Sequence, residues 1–141
     1  MEIKDIMTKQ VISISPTESV EVAARTMAQY NIGALPVCQN GKLCGMLTDR
    51  DIVTRCLAAN QLPRNTQVRQ VMTEQVTSVR PNMEIGVAAH LMGRLQIRRL
   101  PVVEDGALQG MVSLGDMAVR EESALDAGDA LADVSSNLSK R

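Results

Sequence analysis

The chain has 141 residues, of which 45% are hydrophobic and 22% charged, a composition typical of one globular domain with a substantial core. A single tyrosine is the only aromatic residue, so the core must be aliphatic and methionine-rich, and aromatic stacking platforms for nucleic-acid bases are largely excluded. The formal net charge of −1 disfavours nucleic-acid binding, which usually needs a basic face.

The N-terminal segment MEIKDIMTKQ lacks the apolar region of a signal peptide, and no apolar stretch approaches the length of a membrane span. The sequence therefore predicts a cytoplasmic protein without membrane contact. Cys38, Cys44 and Cys56 show no CxxC spacing, which favours reduced thiols over a disulfide framework or a metal site, with a Cys38–Cys44 redox pair left open. The only histidine, His90, is predicted at the surface rather than in a catalytic role.

The chain contains an internal repeat. Residues 6–55 align without gaps to residues 71–120 at an offset of 65 (73 minus 8), and 20 of the 50 paired positions are identical. About three identities would be expected by chance from the composition, so the two copies must fold alike.

Each copy begins with a short apolar segment, VISI (11–14) or VTSV (76–79), that is predicted to be a strand ending before a proline. An amphipathic helix follows, with Thr17 as the predicted N-cap of the first copy. The apolar positions of the two helices share the spacing i, i+3, i+4 and i+7: they are Val20, Ala23, Ala24 and Met27 in the first copy and Ile85, Ala88, Ala89 and Met92 in the second.

Two strands and a second helix complete each copy. The strand pairs ALPVC/LCGML and RLPVV/LQGMV are joined by Asn-Gly and Asp-Gly, which suit the positive φ angles of a tight hairpin turn. The second helices are predicted from about residue 49 to 59 and from about residue 116 to 123.

Each copy is thus β-α-β-β-α, and one copy alone is too small to cover its own sheet. The predicted fold class is α+β, with the two tandem repeats packed sheet to sheet about a pseudo-two-fold axis. The predicted boundaries are repeat 1 at 1–60, a polar linker at 61–69, repeat 2 at 70–123, and a polar tail at 124–141 that forms a short helix or is disordered.

The strand-to-helix junctions share a polar pattern: GMLTDRD (45–51) matches GMVSLGD (110–116). Ser/Thr followed three residues later by Asp is typical of a helix capping box, although Asp is a methylene shorter than the usual Glu. The same groups suit a ligand, because a carboxylate accepts hydrogen bonds from both ribose hydroxyls and a helix N-terminus attracts phosphate. Gly45 and Gly110 would let a ligand approach the backbone. Local chemistry leaves both interpretations open.

The doubled set of MT-x-x-V, LPV and G-M-[LV]-[ST]-x-x-D resembles a pair of CBS domains over about residues 1–122. The resemblance implies a regulatory module, not an enzyme, that binds an adenosine-containing ligand such as AMP, ADP, ATP or S-adenosylmethionine in clefts between the repeats. It also implies a homodimer of such pairs and a regulated partner protein on a separate chain. Met117 and Ala118 are candidate dimer contacts, and core packing is the alternative explanation for both. No cofactor is expected beyond an adenine nucleotide as ligand, with or without Mg²⁺.

The family's ribose and phosphate contacts match Thr48 and Asp51 in one cleft and Ser113 and Asp116 in the other. By the same resemblance each cleft is completed by residues of the other repeat. These are Val76, Thr77, Ile97 and Arg98 for the first cleft, and Val11, Ile12, Ile32 and Gly33 for the second.

Arg98 and Arg99 precede a strand where the first copy has Gly33 and Ala34. The resemblance implies phosphate contacts for this arginine pair, and hence a polyphosphate preference for the cleft with Thr48 and Asp51. A solvated surface pair is the alternative interpretation. A ligand-free interaction or dimerisation scaffold is the alternative function, in which the Ser/Thr and Asp residues act only as helix caps.

Overall fold

The computed structural model describes residues 1–118 and residue 132. They form two compact units, which we name after the hairpin that each contains. The repeat-1 unit comprises residues 12–76, and the repeat-2 unit comprises residues 1–11 together with the described residues from 77 onward. The fold class is α+β, as predicted.

The repeat-1 unit contains helix α1 (Val20–Tyr30), the strands β1 (Ala34–Gln39) and β2 (Lys42–Thr48), and helix α2. Helix α2 begins at Asp49–Asp51 and continues as a π-helical segment, Ile52–Leu57. A 3₁₀ turn at Pro63–Asn65 and the short helix α3 (Val68–Val71) follow. The second helix of this copy is therefore confirmed, with a wider hydrogen-bonding pattern in its C-terminal part.

The repeat-2 unit contains a 3₁₀ turn at Ile3–Asp5, helix α4 (Ile85–Leu95), the strands β3 (Arg99–Glu104) and β4 (Ala107–Ser113), and helix α5 (Leu114–Ala118). The prediction that α5 extends to residue 123 and the prediction for the tail at 124–141 fall outside the described residues. No helix among the described residues is long and apolar enough to cross a membrane.

The two hairpins are built alike. Asn40-Gly41 and Asp105-Gly106 have φ angles of 54°, 78°, 52° and 80°, which confirms the predicted two-residue turns with positive φ. Each hairpin also contains a bulge two residue pairs from the turn, at Val37/Cys38 and at Val102/Val103. The repeated sequence thus gives a repeated backbone down to the local irregularity.

The predicted first strands are shorter than expected. The segment 11–14 contributes one isolated parallel bridge, Ile14 to Val37, and the segment 76–79 contributes the equivalent bridge, Val79 to Val102. Each segment makes two backbone hydrogen bonds, for example from the Ile14 N–H to the Pro36 oxygen at 3.0 Å. Proline follows two residues later and lacks the N–H that a longer ladder would need.

The first amphipathic helix begins later than predicted. Ser19, not Thr17, is the N-cap, because its hydroxyl accepts from the Val22 N–H at 3.2 Å. The predicted apolar stripe is buried in both copies except at Ala24, which is exposed while its counterpart Ala89 is buried.

Each unit has its own aliphatic core, completed by a segment from elsewhere in the chain. Ile3 and Ile6, which belong to the predicted repeat 1, lie in the core of the repeat-2 unit. Val68 of the predicted linker and Val71 at the start of the predicted repeat 2 lie in the core of the repeat-1 unit. The compact units therefore differ from the sequence repeats, and the boundaries 1–60 and 70–123 remain predictions about the repeats alone.

The predicted polar linker is an ordered part of the repeat-1 unit. The Thr66 carbonyl accepts from the Val20 N–H at 2.8 Å, and the Val68 N–H donates to the Glu18 carbonyl at 2.8 Å. Val68 is fully buried. These contacts attach the segment to the start of α1.

Candidate functional site

The two strand-to-helix junctions have the same hydrogen-bonded geometry. In the repeat-1 unit, the Asp51 N–H donates to Thr48 Oγ1 at 3.1 Å, and the Thr48 N–H donates to Asp51 Oδ2 at 3.0 Å. In the repeat-2 unit, the equivalent Ser113–Asp116 bonds measure 3.0 and 2.9 Å. The capping-box interpretation is therefore correct for both junctions.

The shorter aspartate side chain closes the box as well as glutamate would, contrary to the reservation from sequence. One carboxylate oxygen of each aspartate is engaged by the backbone in this way. A carboxylate offers about four acceptor positions, so the capping bond leaves acceptor capacity on both Asp51 and Asp116. The cap and a ligand contact are thus chemically compatible.

Arg55 is a neighbour of this site that sequence reasoning missed. Its Nε lies 3.9 Å from Asp51 Oδ1, and its Nη1 donates to the carbonyls of Val71 and Met72 at 3.3 and 3.2 Å. Arg55 therefore connects Asp51 to the segment that completes the core. Its i, i+4 spacing from Asp51 was the available signal.

Gly45 and Gly110, which occupy equivalent positions in the two copies, lie against another segment of the chain. The sequence-based interpretation that they let a ligand approach the backbone is therefore corrected. A Cβ on Gly45 would lie 2.7 Å from Met72 Sδ and 2.9 Å from the Thr73 carbonyl oxygen. A Cβ on Gly110 would lie 2.6 Å from the Thr8 carbonyl oxygen. The glycines instead admit the Met-Thr segments, whose threonines pair with β2 and β4.

The residues that precede β1 and β3 lie beside the capping boxes of their own repeats. The Asp49 N–H donates to the Gly33 carbonyl at 2.9 Å, and the Leu114 N–H donates to the Arg98 carbonyl at 3.0 Å. In the strand register, Arg99 pairs with Ser113. The structure thus brings Arg98 and Arg99 next to Ser113, and their predicted place with Thr48 and Asp51 stays a prediction.

The remaining predicted ligand residues divide between the two units. Ile12 and Ile32 are partly buried against the core of the repeat-1 unit, and Ile97 is partly buried against the core of the repeat-2 unit. Val11 and Val76 are half-buried, whereas Thr77 is exposed. The repeat-1 unit therefore holds two partly buried isoleucines and the repeat-2 unit holds one, each together with a Ser/Thr and an Asp.

The three cysteines are free thiols in the structure. Burial is the main cause that raises the pKa of Cys38, and the adjacent Cys44 raises it further. Burial likewise raises the pKa of Cys44, whose thiol donates to the Val37 carbonyl at 3.2 Å. Both groups are thus held in the less reactive protonated form.

Two other predictions concern single residues. His90 is exposed, as predicted. Met117 is fully buried in the core of the repeat-2 unit, so its predicted place in an exposed dimer contact is wrong. Among residues 1–118, no three His, Cys, Asp or Glu side chains are grouped closely enough to hold a metal ion.

The duplicated hairpin-to-helix junction, with its capping box, places this chain among CBS-domain proteins. The family's sequence profile, described as the CBS domain, matches residues 3–58 and 68–121. The chain belongs to the CBS-domain family and contains a pair of these domains, which is a regulatory module.

Comparison with individual proteins agrees with this assignment. The CBS domain-containing protein YhcV of Bacillus subtilis is 46% identical over 133 residues, which cover 94% of each chain. The crystal structure of Hypoxic Response Protein I with two coordinated zinc ions superposes with a TM-score of 0.78 at 35% identity, over 85% of this chain and 98% of that one.

A second similar structure contains ligands. The CBS domain pair of protein MJ0100, in complex with 5′-methylthioadenosine and S-adenosyl-L-methionine, has a TM-score of 0.74 at 29% identity, over 84% of this chain and 94% of that one.

Proposed function

We propose that this CBS pair senses adenosine-containing ligands, namely AMP, ADP, ATP or S-adenosylmethionine, and signals their presence to a separate partner protein. The observation that carries the proposal is the duplicated Ser/Thr–Asp capping box beside partly buried isoleucines. The MJ0100 pair, whose structure contains two adenosine compounds, supports the choice of ligand class.

In this proposal Asp51 and Asp116 accept hydrogen bonds from ribose hydroxyls, and Thr48 and Ser113 contact ribose or phosphate oxygens. The backbone N–H bonds hold each carboxylate in one orientation before a ligand arrives. Because this order is already present in the folded protein, ligand binding loses less side-chain entropy.

The adenine ring would contact apolar side chains, since aromatic residues are almost absent from this sequence. The proposed lining residues are partly or fully accessible, as a ligand contact requires. They are Val11, Ile12, Ile32, Gly33, Val76, Thr77 and Ile97, with Arg98 and Arg99 as phosphate contacts.

A thermal-shift panel with AMP, ADP, ATP, S-adenosylmethionine, NAD and cyclic dinucleotides tests the proposal. A ligand present at 100 times its Kd stabilises the folded state by about 2.7 kcal/mol, which gives a clear rise in Tm. If no compound shifts Tm at millimolar concentration, the capping boxes are structural only, and the ligand-free scaffold becomes the better account.

Asp51→Asn and Asp116→Asn then separate the cap from the ligand contact. The asparagine oxygen can still accept the capping N–H, but the other carboxylate oxygen is replaced by a donor NH₂. We expect nearly unchanged stability and at least about tenfold weaker ligand binding by isothermal titration calorimetry. Unchanged affinity in both variants would contradict the ribose contact.

Regulation without catalysis is part of the proposal, as are a cytoplasmic location and assembly into a homodimer. On α2 the side chains of Val53 and Leu57 are 55% and 53% exposed, and their i, i+4 spacing places them on one face. This face replaces Met117 as the expected apolar contact, together with the exposed Ala118, which is the repeat-2 counterpart of Val53. Sedimentation of a Val53→Glu variant against wild type tests the dimer.

A further inference from the structure

The two junctions share a backbone but exchange a pair of side chains. Gly33 and Asp49 of repeat 1 occupy the positions of Arg98 and Leu114 in repeat 2, 65 residues later. The same hydrogen bond joins each pair, from the helix residue's N–H to the carbonyl of the residue before the strand. The Gly33–Asp49 pair and the Arg98–Leu114 pair therefore differ in their side chains and not in this backbone hydrogen bond.

In the repeat-1 unit the Asp49 carboxylate covers Gly33. A Cβ built on Gly33 would lie 2.9 Å from Asp49 Oδ2 and 3.3 Å from Asp49 Cγ. The other oxygen, Oδ1, accepts from the Arg50 N–H at 2.8 Å, which holds the carboxylate in place. A negative charge thus lies over the backbone that precedes β1.

In the repeat-2 unit no carboxylate takes the place of Asp49. Leu114 is only 7% exposed and packs into the core, so it does not cover the residue before β3. That residue, Arg98, is exposed, and its carbonyl accepts from the Leu114 N–H at 3.0 Å, one residue after Ser113. Arg99, the next residue, is exposed as well.

The charge balance differs accordingly. Positions 33, 34, 49, 50 and 51 read Gly, Ala, Asp, Arg and Asp, a sum of −1, whereas positions 98, 99, 114, 115 and 116 read Arg, Arg, Leu, Gly and Asp, a sum of +1. Arg55 lies 3.9 Å from Asp51 Oδ1 and brings the sum at the repeat-1 junction to zero. The equivalent sequence position in repeat 2, residue 120, is also arginine, so the difference of two charges between the copies is unchanged.

We propose that Asp49 is a charge-selecting residue, so that the repeat-1 junction takes adenosine ligands with an uncharged or cationic 5′ substituent, and the repeat-2 junction takes adenosine phosphates. This assignment is the opposite of the polyphosphate preference that the family resemblance implies for the cleft with Thr48 and Asp51. This inference rests on the proposed function. Selection works by repulsion at one junction and attraction at the other, since a fixed like charge penalises the wrong ligand.

Isothermal titration with adenosine and with AMP tests the proposal in an Asp116→Ala background, where the heat comes from the repeat-1 junction. The test variant is Asp49→Asn, which keeps the side-chain oxygen for the Arg50 N–H and removes the charge. Removing a like charge a few ångströms from a phosphate raises the affinity for AMP relative to adenosine by about tenfold. The matched control is Glu21→Gln, which removes the same charge on α1.

Salt gives a second readout that a purely structural role would not change. In the Asp116→Ala parent protein, which keeps Asp49, the AMP-to-adenosine affinity ratio rises between 50 and 500 mM salt, because screening weakens the repulsion between Asp49 and the phosphate. In Asp49→Asn this rise is smaller. If the AMP-to-adenosine affinity ratio of Asp49→Asn stays within twofold of the parent protein's ratio and has the same salt dependence, the charge-selecting role of Asp49 is overturned. The proposed function would still stand in that case, provided that adenosine binds. If the wild-type protein bound neither adenosine nor AMP, both the charge-selecting role of Asp49 and the proposed function would be overturned.

Discussion

The Thr48–Asp51 and Ser113–Asp116 junctions give the same backbone with opposite local charge. Their capping bonds agree within 0.1 Å, at 3.1 and 3.0 Å in one unit and 3.0 and 2.9 Å in the other. The side chains that make the capping bonds are similar in the two units, whereas side chains outside those bonds differ, for example Asp49 and Leu114. A duplicated junction can therefore change its charge without changing its backbone.

The largest expected effect on stability concerns the glycines that lie against the Met-Thr segments in the two units. Gly110→Ala should destabilise the protein by about 3 kcal/mol and Gly45→Ala by about 2 kcal/mol, because each Cβ meets an immobile carbonyl oxygen. The larger value belongs to Gly110, whose contact of 2.6 Å is the shorter. Urea unfolding measures both.

The control for this prediction is Gly115→Ala. Its Cβ would meet only Ser113 Oγ, at 3.5 Å, which is an ordinary contact. Alanine is favoured over glycine in a helix by up to about 1 kcal/mol, so this variant should be neutral or slightly more stable. If Gly115→Ala and Gly110→Ala lost equal stability, the close approach would not be the cause.

The capping hydroxyls should contribute equally in the two units. Without ligand, Thr48→Ala and Ser113→Ala should each lower the free energy of unfolding by about 1 kcal/mol, because each leaves a helical N–H without its acceptor. Thr48→Ser keeps the hydroxyl and should stay close to wild type. A loss in only one of the two units would show that the capping boxes are not equivalent.

The exchanged side-chain pair predicts a smaller, coupled effect. Gly33→Arg alone should cost about 1 kcal/mol, because its Cβ must displace the Asp49 carboxylate, which can rotate aside. Gly33→Arg with Asp49→Leu, which copies the repeat-2 pair, should recover most of that loss. The double-mutant cycle gives the coupling directly, and additive losses would contradict the contact.

The smallest effect concerns pH. The pKa values of Cys38 and Cys44 are raised above the usual 9.0 by burial, so the folded state favours the neutral thiols. Their contribution to stability is complete below pH 9 and is lost as pH rises through the folded-state pKa values. Cys38→Val/Cys44→Gln, which installs the repeat-2 residues Val103 and Gln109, should flatten this decline between pH 8 and 10.5 in thermal unfolding. An unchanged slope would assign the decline to other groups.

Much of the fold could be predicted from sequence because its signals are local. The spacing of Val20, Ala23 and Met27 predicted the buried face of α1, and Asn40-Gly41 predicted the hairpin turn. The N-cap was misplaced at Thr17 because several hydroxyl residues lie near the start of α1 and any of them could cap it. Ala24 was wrongly predicted to be buried because a small residue at the edge of the apolar stripe is a weak indicator of burial.

The candidate site could be predicted only in part. Repetition separated Thr48 and Asp51 from Asp49 and Arg50, since the first two recur as Ser113 and Asp116 and the other two are replaced. The covering of Gly33 by Asp49 could not be predicted, because it depends on which way one side chain turns from a helix end.

By itself the sequence determined the repeat, the hairpins, the amphipathic helices and the family, because each of these depends on residues close together in the chain or on their recurrence. Only the tertiary structure decided that residues 1–11 complete the core beside repeat 2 and that residues 66–71 complete the core beside repeat 1. It also decided that Gly45 and Gly110 admit a chain segment rather than a ligand. These outcomes depend on contacts between residues distant in sequence, where burial of apolar side chains and close backbone packing leave no periodic pattern to read.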